Sequence, residues 1–197
     1  MCNDYEQHVT RAAYQKAMRD SHLSASDSES PGDLPQADDI KIGDLGPVLV
    51  AAGNGAALRQ MRFGWPGARK GAPPVFNFKS DGRHFEKSRR CVVILSGFFE
   101  FTGTKYPKAK HRFTLNGSPI MGIAGLWHEA EGDIPESFTM LTTAPGPDIE
   151  PYHDRQVCVL RPEDWSAWLY LTKPEGELLK PLPAGTLKVE TVRKGSD

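Results

Sequence analysis

Nothing in the 197-residue chain approaches the roughly 20 consecutive apolar residues that a bilayer-spanning helix requires. Nor does the chain open on a basic stretch followed by an apolar one, so no secretory leader is expected and the expected location is the cytoplasm. Cysteine is scarce: Cys2, Cys91 and Cys158 are the three present. An odd count at wide spacing argues against a disulfide framework. No CxxC pair and no paired His/Cys spacing occurs, and the six histidines are scattered singly, so no metal site and no cofactor are expected. No internal repeat and no second domain is visible. The length fits one domain over 1–197, with an acidic loop at about 20–44.

What is abundant is charge, unevenly placed. The net charge is only −1, yet residues 1–58 carry 4 Lys/Arg against 9 Asp/Glu, and residues 113–197 carry 7 against 13. Residues 59–112 carry 13 Lys/Arg and only Asp81, Glu86 and Glu100 as acids. A basic middle between acidic flanks is a candidate phosphate-binding footprint, and equally a solvated basic face.

The apolar pattern is mostly that of strands. Thr10 is placed to cap a short helix with Tyr14, Ala17 and Met18 at helical spacing. Strands are expected over 47–52 and 56–63, joined by a Gly53-Asn54-Gly55 turn. The Gly- and Pro-rich stretch 64–74 must be a shaped loop. Residues 91–95 are apolar throughout, the mark of a strand buried on both faces, and 97–101 should continue it past a bulge at Ser96-Gly97. Residues 111–115, the Asn116-Gly117 turn and 119–127 form the strongest hairpin signal. Two more strands are expected at 138–143 and 156–160, then a helix opened by Pro162 and carrying Trp165, Trp168 and Leu169. The expected fold is α+β: a mostly antiparallel, barrel-like sheet core with a few short flanking helices.

Four segments carry chemistry. Removal of Met1 would leave Cys2 with an α-amine and a thiol on one residue. Their free pKa values, about 7.7–8.0 and about 8.5, keep both near their reactive forms at neutral pH. An aldehyde condenses with such an amine to a Schiff base, and the neighbouring thiol closes a five-membered thiazolidine. Taken alone, a small buried cysteine is the commoner reading. Glu100 lies in Phe98-Phe99-Glu100-Phe101, where burial would raise its pKa and suit it to proton transfer; the alternative is a glutamate on a polar strand face. His153, in Tyr152-His153-Asp154-Arg155, is a candidate acid–base group, although a hydrogen-bonded structural histidine is the commoner case. Asn77, in an apolar setting, would orient a substrate oxygen, or else serve a turn.

Together these segments resemble the SRAP family, the SOS-response-associated peptidases or abasic-site processing proteins. The resemblance runs from Met1 to about Leu169. It rests on Met1-Cys-Asn-Asp-Tyr5, the Asn77 segment, Arg89-Arg-Cys-Val-Val-Ile-Leu-Ser-Gly-Phe-Phe-Glu100-Phe, Gly122-Ile-Ala-Gly-Leu-Trp127, and Leu141-Thr-Thr-Ala followed by His153-Asp-Arg. It implies a barrel-like SRAP fold and a protein that links covalently, through Cys2, to an abasic site in single-stranded DNA. It also implies a peptidase activity that exposes Cys2. Asn77 would hold the N-terminus and the sugar ring oxygen, Glu100 would move protons during ring opening and Schiff-base formation, and His153 would be the second acid–base group. The partner would be single-stranded DNA, with no membrane and no metal. The protein would act as a monomer and be nucleoid-associated when bound.

The expected DNA contacts are Lys79, Arg83, Arg89, Arg90, Lys105, Lys108 and Arg155, with Lys87, Lys110 and Arg112 as further phosphate candidates and Trp65 as a stacking residue or a core tryptophan. The chain departs from the family where Gly-Arg usually follows the first cysteine: it has Asn3-Asp4, and Asp4 is expected to repel a phosphate. Lys79 stands where the family has an Arg, keeping the charge and losing the bidentate fork. Two other readings stay open. One is an N-terminal-nucleophile amidohydrolase of the glutamine amidotransferase type. The other is a non-catalytic DNA- or protein-binding module.

Overall fold

Strand-forming sequence dominates, and the computed structural model, which describes residues 2–25, 34–67, 69 and 71–197, is accordingly built mainly from sheet. In chain order the elements are β1 (Asp4–Gln7), α1 (Arg11–Asp20), β2 (Ala37–Lys41), β3 (Leu45–Ala52), β4 (Gly55–Phe63), β5 (Asn77–Lys79), β6 (Arg90–Leu95) and β7 (Gly97–Thr102). They continue with β8 (Ala109–Leu115), β9 (Met121–His128), β10 (Ser137–Thr143), β11 (Gln156–Val157), β12 (Val159–Leu160), a 3₁₀ turn (Pro162–Asp164), α2 (Trp165–Tyr170), α3 (Glu175–Leu178) and β13 (Leu187–Arg193).

The strands form two sheets. One is an open sheet in the order β13-β8-β7-β1-β2. The other runs β11-β10-β4-β3-β6-β9-β12, and because β9 also pairs with β10 it closes into a ring. Pairing is antiparallel throughout except where β10 runs parallel to β4 and β5. The fold is α+β, mostly antiparallel, with a barrel-like core and short helices, as the apolar pattern indicates.

Strand β6 explains the layering. Alternate residues leave a strand on opposite faces. Cys91, Val93 and Leu95 enter the cluster shared with Tyr5, Phe98 and Phe113 of the open sheet, while Val92 and Ile94 enter the cluster covered by α1 and α2. Both faces are therefore buried, which is why the run shows no polar alternation. Thr10 caps α1 by accepting from the Ala13 amide at 3.2 Å, and Tyr14, Ala17 and Met18 are its buried face. Trp165 and Trp168 of α2 are fully buried, and the Trp168 indole donates to the Cys91 carbonyl at 2.9 Å.

Three expectations are corrected. Residues 97–101 do not continue β6 past a bulge: the chain changes sheets at Ser96. Its amide donates to the Glu6 carbonyl at 3.1 Å, and a Cβ on Gly97 would lie 2.9 Å from Glu6 Oε1 and 3.0 Å from the Phe113 carbonyl oxygen, so a side chain at this corner would force its neighbours to shift. The predicted hairpin at Asn116-Gly117 has its turn, with Gly117 at φ +77°, but β8 and β9 do not pair. The half-exposed β8 joins β7 and β13, whereas the apolar β9 joins the ring. Finally, the stretch expected as an irregular loop over 20–44 contains β2, which pairs with β1 and buries Ile40; part of that loop, 26–33, lies outside the described residues. No helix among the described residues is long and apolar enough to cross a membrane.

Candidate active site

The start of the chain is threaded into the open sheet, one strand in from its β2 edge. β1 lies between β2 and β7, with Tyr5 opposite Phe98, which brings Cys2 to the buried end of the strand. Tyr5 itself has no room to spare: its hydroxyl sits where a Cβ on residue 46 would be, and only glycine fits there. Cys2 is 1% exposed. Its thiol donates weakly to the Asp4 carbonyl at 3.5 Å, and burial, then the charge of Glu100, pushes its pKa well up. The α-amine of Cys2 becomes available only on removal of Met1.

Asn77 begins β5, the short strand laid parallel on β10 with Met140 opposite it. Its amide Nδ2 donates to the Cys2 carbonyl oxygen at 2.8 Å, which ties the chain start to the ring. Glu100 sits in the middle of β7 and is 1% exposed. Burial raises its pKa to about 7; the positive charge of the amino terminus acts the other way, and Asp154 adds to the rise. At neutral pH such a carboxyl is about half protonated and can both give and take a proton.

His153 lies half-buried in the loop between β10 and β11, its amide held by the Ile149 carbonyl at 3.0 Å. Its Nδ1 accepts from the Arg155 amide at 3.0 Å and is 2.8 Å from Asp154 Oδ1. Those two contacts suit different protonation states: the amide needs a lone pair on Nδ1, and the carboxylate needs a proton there. Burial lowers the pKa of His153, followed by the charge of the amino terminus, and Asp154 opposes them. The charge of Glu100 acts on Cys2, and the amino terminus acts on both Glu100 and His153. Cys2, Glu100 and His153 thus share one electrostatic neighbourhood, and Asn77 joins it through its bond to the Cys2 carbonyl.

The basic residues divide into those that hold the fold and those that face solvent. Arg90 is wholly engaged: its guanidinium donates to the carbonyls of Phe85, Glu86, Ser88, Trp168 and Leu169, fastening α2 to β6. Arg155 bonds Asp81 Oδ2 at 2.6 Å and the Thr142 carbonyl at 2.9 Å, beside His153. Arg89 pairs with Glu129 and lies 5.1 Å from the Trp127 ring centroid. Lys79 is exposed at the end of β5, and Arg83 is exposed with its guanidinium 4.5 Å over Phe78. Lys105 is exposed and Lys108 half-buried in the β7–β8 loop. Trp65 is half-buried against Phe78, ring centroids 6.2 Å apart. Directly after β5 opens a groove of about 1120 Å³ that includes Ser80, Asp81, Arg83, His84, Lys173 and Lys180 in its walls.

Two features escape the sequence reading. Asp4 does not stand free to repel a phosphate: it is buried, with Lys110 Nζ at 3.0 Å, and that ammonium also meets Asp39 and lies 3.6 Å over the Phe99 ring. Lys110 is thereby spent, and its pKa is raised because the bonds to the two carboxylates outweigh its burial. The second is His111, directly opposite Glu100 across the β7–β8 pair. Its ring nitrogens meet Thr102 Oγ1 at 2.7 Å and Thr191 Oγ1 at 3.0 Å, and its ring lies 4.7 Å from that of Tyr152. The alternation His111, Phe113, Leu115 already marks this histidine as inward-facing; nothing marks its partner strand.

The family model described as SOS response associated peptidase (SRAP) matches residues 1–195. The chain belongs to the SRAP family. Within that family it is similar to the abasic site processing protein YoqW of Bacillus subtilis, at 31% identity over 151 residues, covering 68% of this chain and 67% of that one. It is also 32% identical over 89 residues to the abasic site processing protein YMR114C of Saccharomyces cerevisiae; the match covers 44% of this chain and only 24% of the yeast protein. Among solved structures, a protein from Bordetella bronchiseptica superposes with a TM-score of 0.75 over 98% of this chain and 100% of its own, at 22% identity. A phage-related protein from the same organism gives 0.71 at 19% identity, covering 98% of this chain and 95% of its own. Both share the fold of this SRAP chain.

Proposed function

We propose that this SRAP chain, once Met1 is removed, captures the aldehyde of an abasic site in single-stranded DNA as a thiazolidine on Cys2, and that the same site exposes Cys2 by peptidase action. The observation that carries the reading is the junction of Cys2, Asn77 and Glu100. The chain start is held by the Asn77 amide at 2.8 Å, beside a buried carboxyl whose pKa is about 7.

The chemistry balances without a cofactor. His153 takes the proton of the sugar's anomeric hydroxyl while Glu100 gives one to the ring oxygen, giving the open-chain aldehyde. Asn77 orients that oxygen. The Cys2 amine adds to the carbonyl carbon, one of its protons passing to Glu100 and the proton on His153 to the oxygen; Glu100 then protonates the hydroxyl, which leaves as water, and takes the second amine proton, forming the imine. The Cys2 sulfur then adds to the imine carbon, its proton passing to the nitrogen. The sum is aldehyde plus cysteine giving thiazolidine plus water. An abasic sugar has no base to flip out or read, which suits a protein holding the phosphates through exposed Lys79, Arg83 and Lys105. The family description, and the names of the relatives that process abasic sites, support the same reading.

The test is a denaturing gel. Protein and single-stranded DNA with one abasic site are incubated and boiled in detergent, and wild type is compared with Cys2→Ala. A detergent-stable adduct that vanishes in Cys2→Ala is expected. No adduct from wild type with a verified Cys2 N-terminus ends the proposal. An adduct that survives Cys2→Ala assigns the link to a lysine, and glutamine hydrolysis by the same sample favours the amidohydrolase reading.

A further inference from the structure

The β7–β8 loop carries Tyr106, 85% exposed, on a segment that is otherwise held in place. Side-chain bonds strap the loop to the end of β13 and the residues after it. Thr104 donates from its amide and hydroxyl to Asp197 Oδ2, at 2.8 and 2.6 Å. The Ser196 hydroxyl donates to the Tyr106 carbonyl at 3.0 Å, and Arg193 Nε to the Lys108 carbonyl at 3.1 Å. The backbone is thus fixed while the phenol ring stands in solvent, an arrangement that offers a flat apolar face with little left to order on binding. The loop and its strap carry Lys105, Lys108, Arg193 and Lys194, with Lys108 Nζ 5.9 Å from the Tyr106 ring centroid. Against these stands Asp197, whose carboxylate is already engaged by Thr104. Lys110 is excluded from this set, being neutralised by Asp4 and Asp39.

We propose that this strapped loop is a second contact for a single nucleic-acid strand, in which Tyr106 stacks on an unpaired base and the surrounding cations hold the phosphates. An exposed aromatic face with Lys108 beside it and further cations on the same loop and strap suits a strand that offers bases and phosphates in alternation, and neither group alone accounts for both features. The loop leaves β7 two residues beyond Glu100, about 7 Å at the rise of a strand, and carries Tyr106 four residues farther along the chain, which suits a nucleotide flanking the reacting sugar rather than the sugar itself. The occupant rests on the proposed function, but the contact does not depend on covalent chemistry.

Fluorescence anisotropy with a stable abasic analogue, which cannot form a Schiff base, separates the two. A trinucleotide and a longer single strand, both centred on the analogue, are titrated with wild type, Tyr106→Ala and Tyr106→Phe. Tyr106→Ala should weaken the longer strand about tenfold, leave the trinucleotide unchanged, and form the covalent adduct with a reactive trinucleotide at the wild-type rate. Tyr106→Phe, which keeps the ring, should bind like wild type. Equal binding of the longer strand by wild type and Tyr106→Ala overturns the proposal, as does an equal loss on both lengths. If wild type gives no adduct while Tyr106→Ala still weakens the longer strand, the function fails and the strand contact stands.

Discussion

The two faces of the open sheet both bury carboxylates, and they treat them in opposite ways. On the outward face Asp4 is met by Lys110, and Glu6 by Arg112, whose Nε lies 2.9 Å from Glu6 Oε1. The Ser96 hydroxyl donates to that same Glu6 oxygen at 3.0 Å. On the inward face Glu100 has an imidazole, not an ammonium, as its cross-strand neighbour, and burial pushes its pKa to about 7. On the Asp4 and Glu6 side each carboxylate is bonded to a cation from β8, a contact that holds strands together. Glu100 shares its surroundings with apolar rings, the His111 imidazole and the amino terminus; burial outweighs that positive charge and brings its pKa to about 7, where its protonation can change. Strands β7 and β8 supply both faces, so the alternation of side chains along two strands separates the ion-paired carboxylates from the one proposed to do chemistry.

The largest expected effect is on the inward face. Glu100→Gln keeps the shape and removes the titration. Adduct formation should slow by about 10²–10⁴ and lose its dependence on pH near 7. Stability should move the other way. The folded pKa of Glu100 lies above its unfolded value of 4.5, so its contribution is complete below that value and is lost as pH rises through about 7. Glu100→Gln should therefore be more stable than wild type at pH 8, by up to about 3 kcal/mol, and close to it at pH 5. Urea midpoints at the two pH values check the sign. A variant destabilised equally at both would mean that Glu100 is held as a charged structural group, like Asp4.

The outward face should respond only in stability. Lys110→Met leaves Asp4 buried without its cation, at a cost of about 3 kcal/mol. The double variant Lys110→Met with Asp4→Asn should recover most of that loss, because the expense lies in the orphaned charge and not in the lost pair. Adduct yield under folding conditions should stay near wild type in the double variant. A drop there as large as that of Glu100→Gln would show that the faces are not separate.

The sequence discloses these faces unequally. Strand β6 is legible because an uninterrupted apolar run as short as 91–95 fits a strand buried on both faces, and α1 because Thr10, Tyr14, Ala17 and Met18 keep helical spacing behind a capping residue. Glu100 is legible because Phe98, Phe99 and Phe101 surround it. Partners in space are not. Asn116-Gly117 specifies a turn but not whether the strands it joins will pair, since that depends on which sheet buries each strand. Asp4 is misread as a repelling charge because the ammonium that neutralises it lies 106 residues away. Arg90 falls among the phosphate contacts because charge alone does not reveal that the carbonyls at the end of α2 converge on its guanidinium. The resemblance to SRAP proteins supplies Asn77 and His153, whose local sequence suits a turn and a structural histidine equally well.

The smallest effect expected is at His111, and it distinguishes the two groups that share the inward face. Burial lowers the pKa of His111 from its ordinary 6.5, whereas burial raises that of Glu100. The unfolded chain therefore binds more protons at His111 in the window just below 6.5, and the stability it contributes is lost as pH falls through that window. His111→Gln removes this acid sensitivity and leaves the alkaline loss due to Glu100 in place. The charged groups facing this pair from packed elements are the amino terminus and Asp154, acting on Glu100, while Thr102, Thr191 and Tyr152 touch His111 without charge. Stability measured across pH 5–8 should thus fall at both ends in wild type and at the acid end alone in Glu100→Gln, while His111→Gln should keep the alkaline loss and show a smaller acid loss, the remainder coming from His153, whose pKa burial also lowers. If His111→Gln instead removes the alkaline loss, the two groups share one proton and titrate as a pair, and the pKa near 7 belongs to that pair rather than to Glu100.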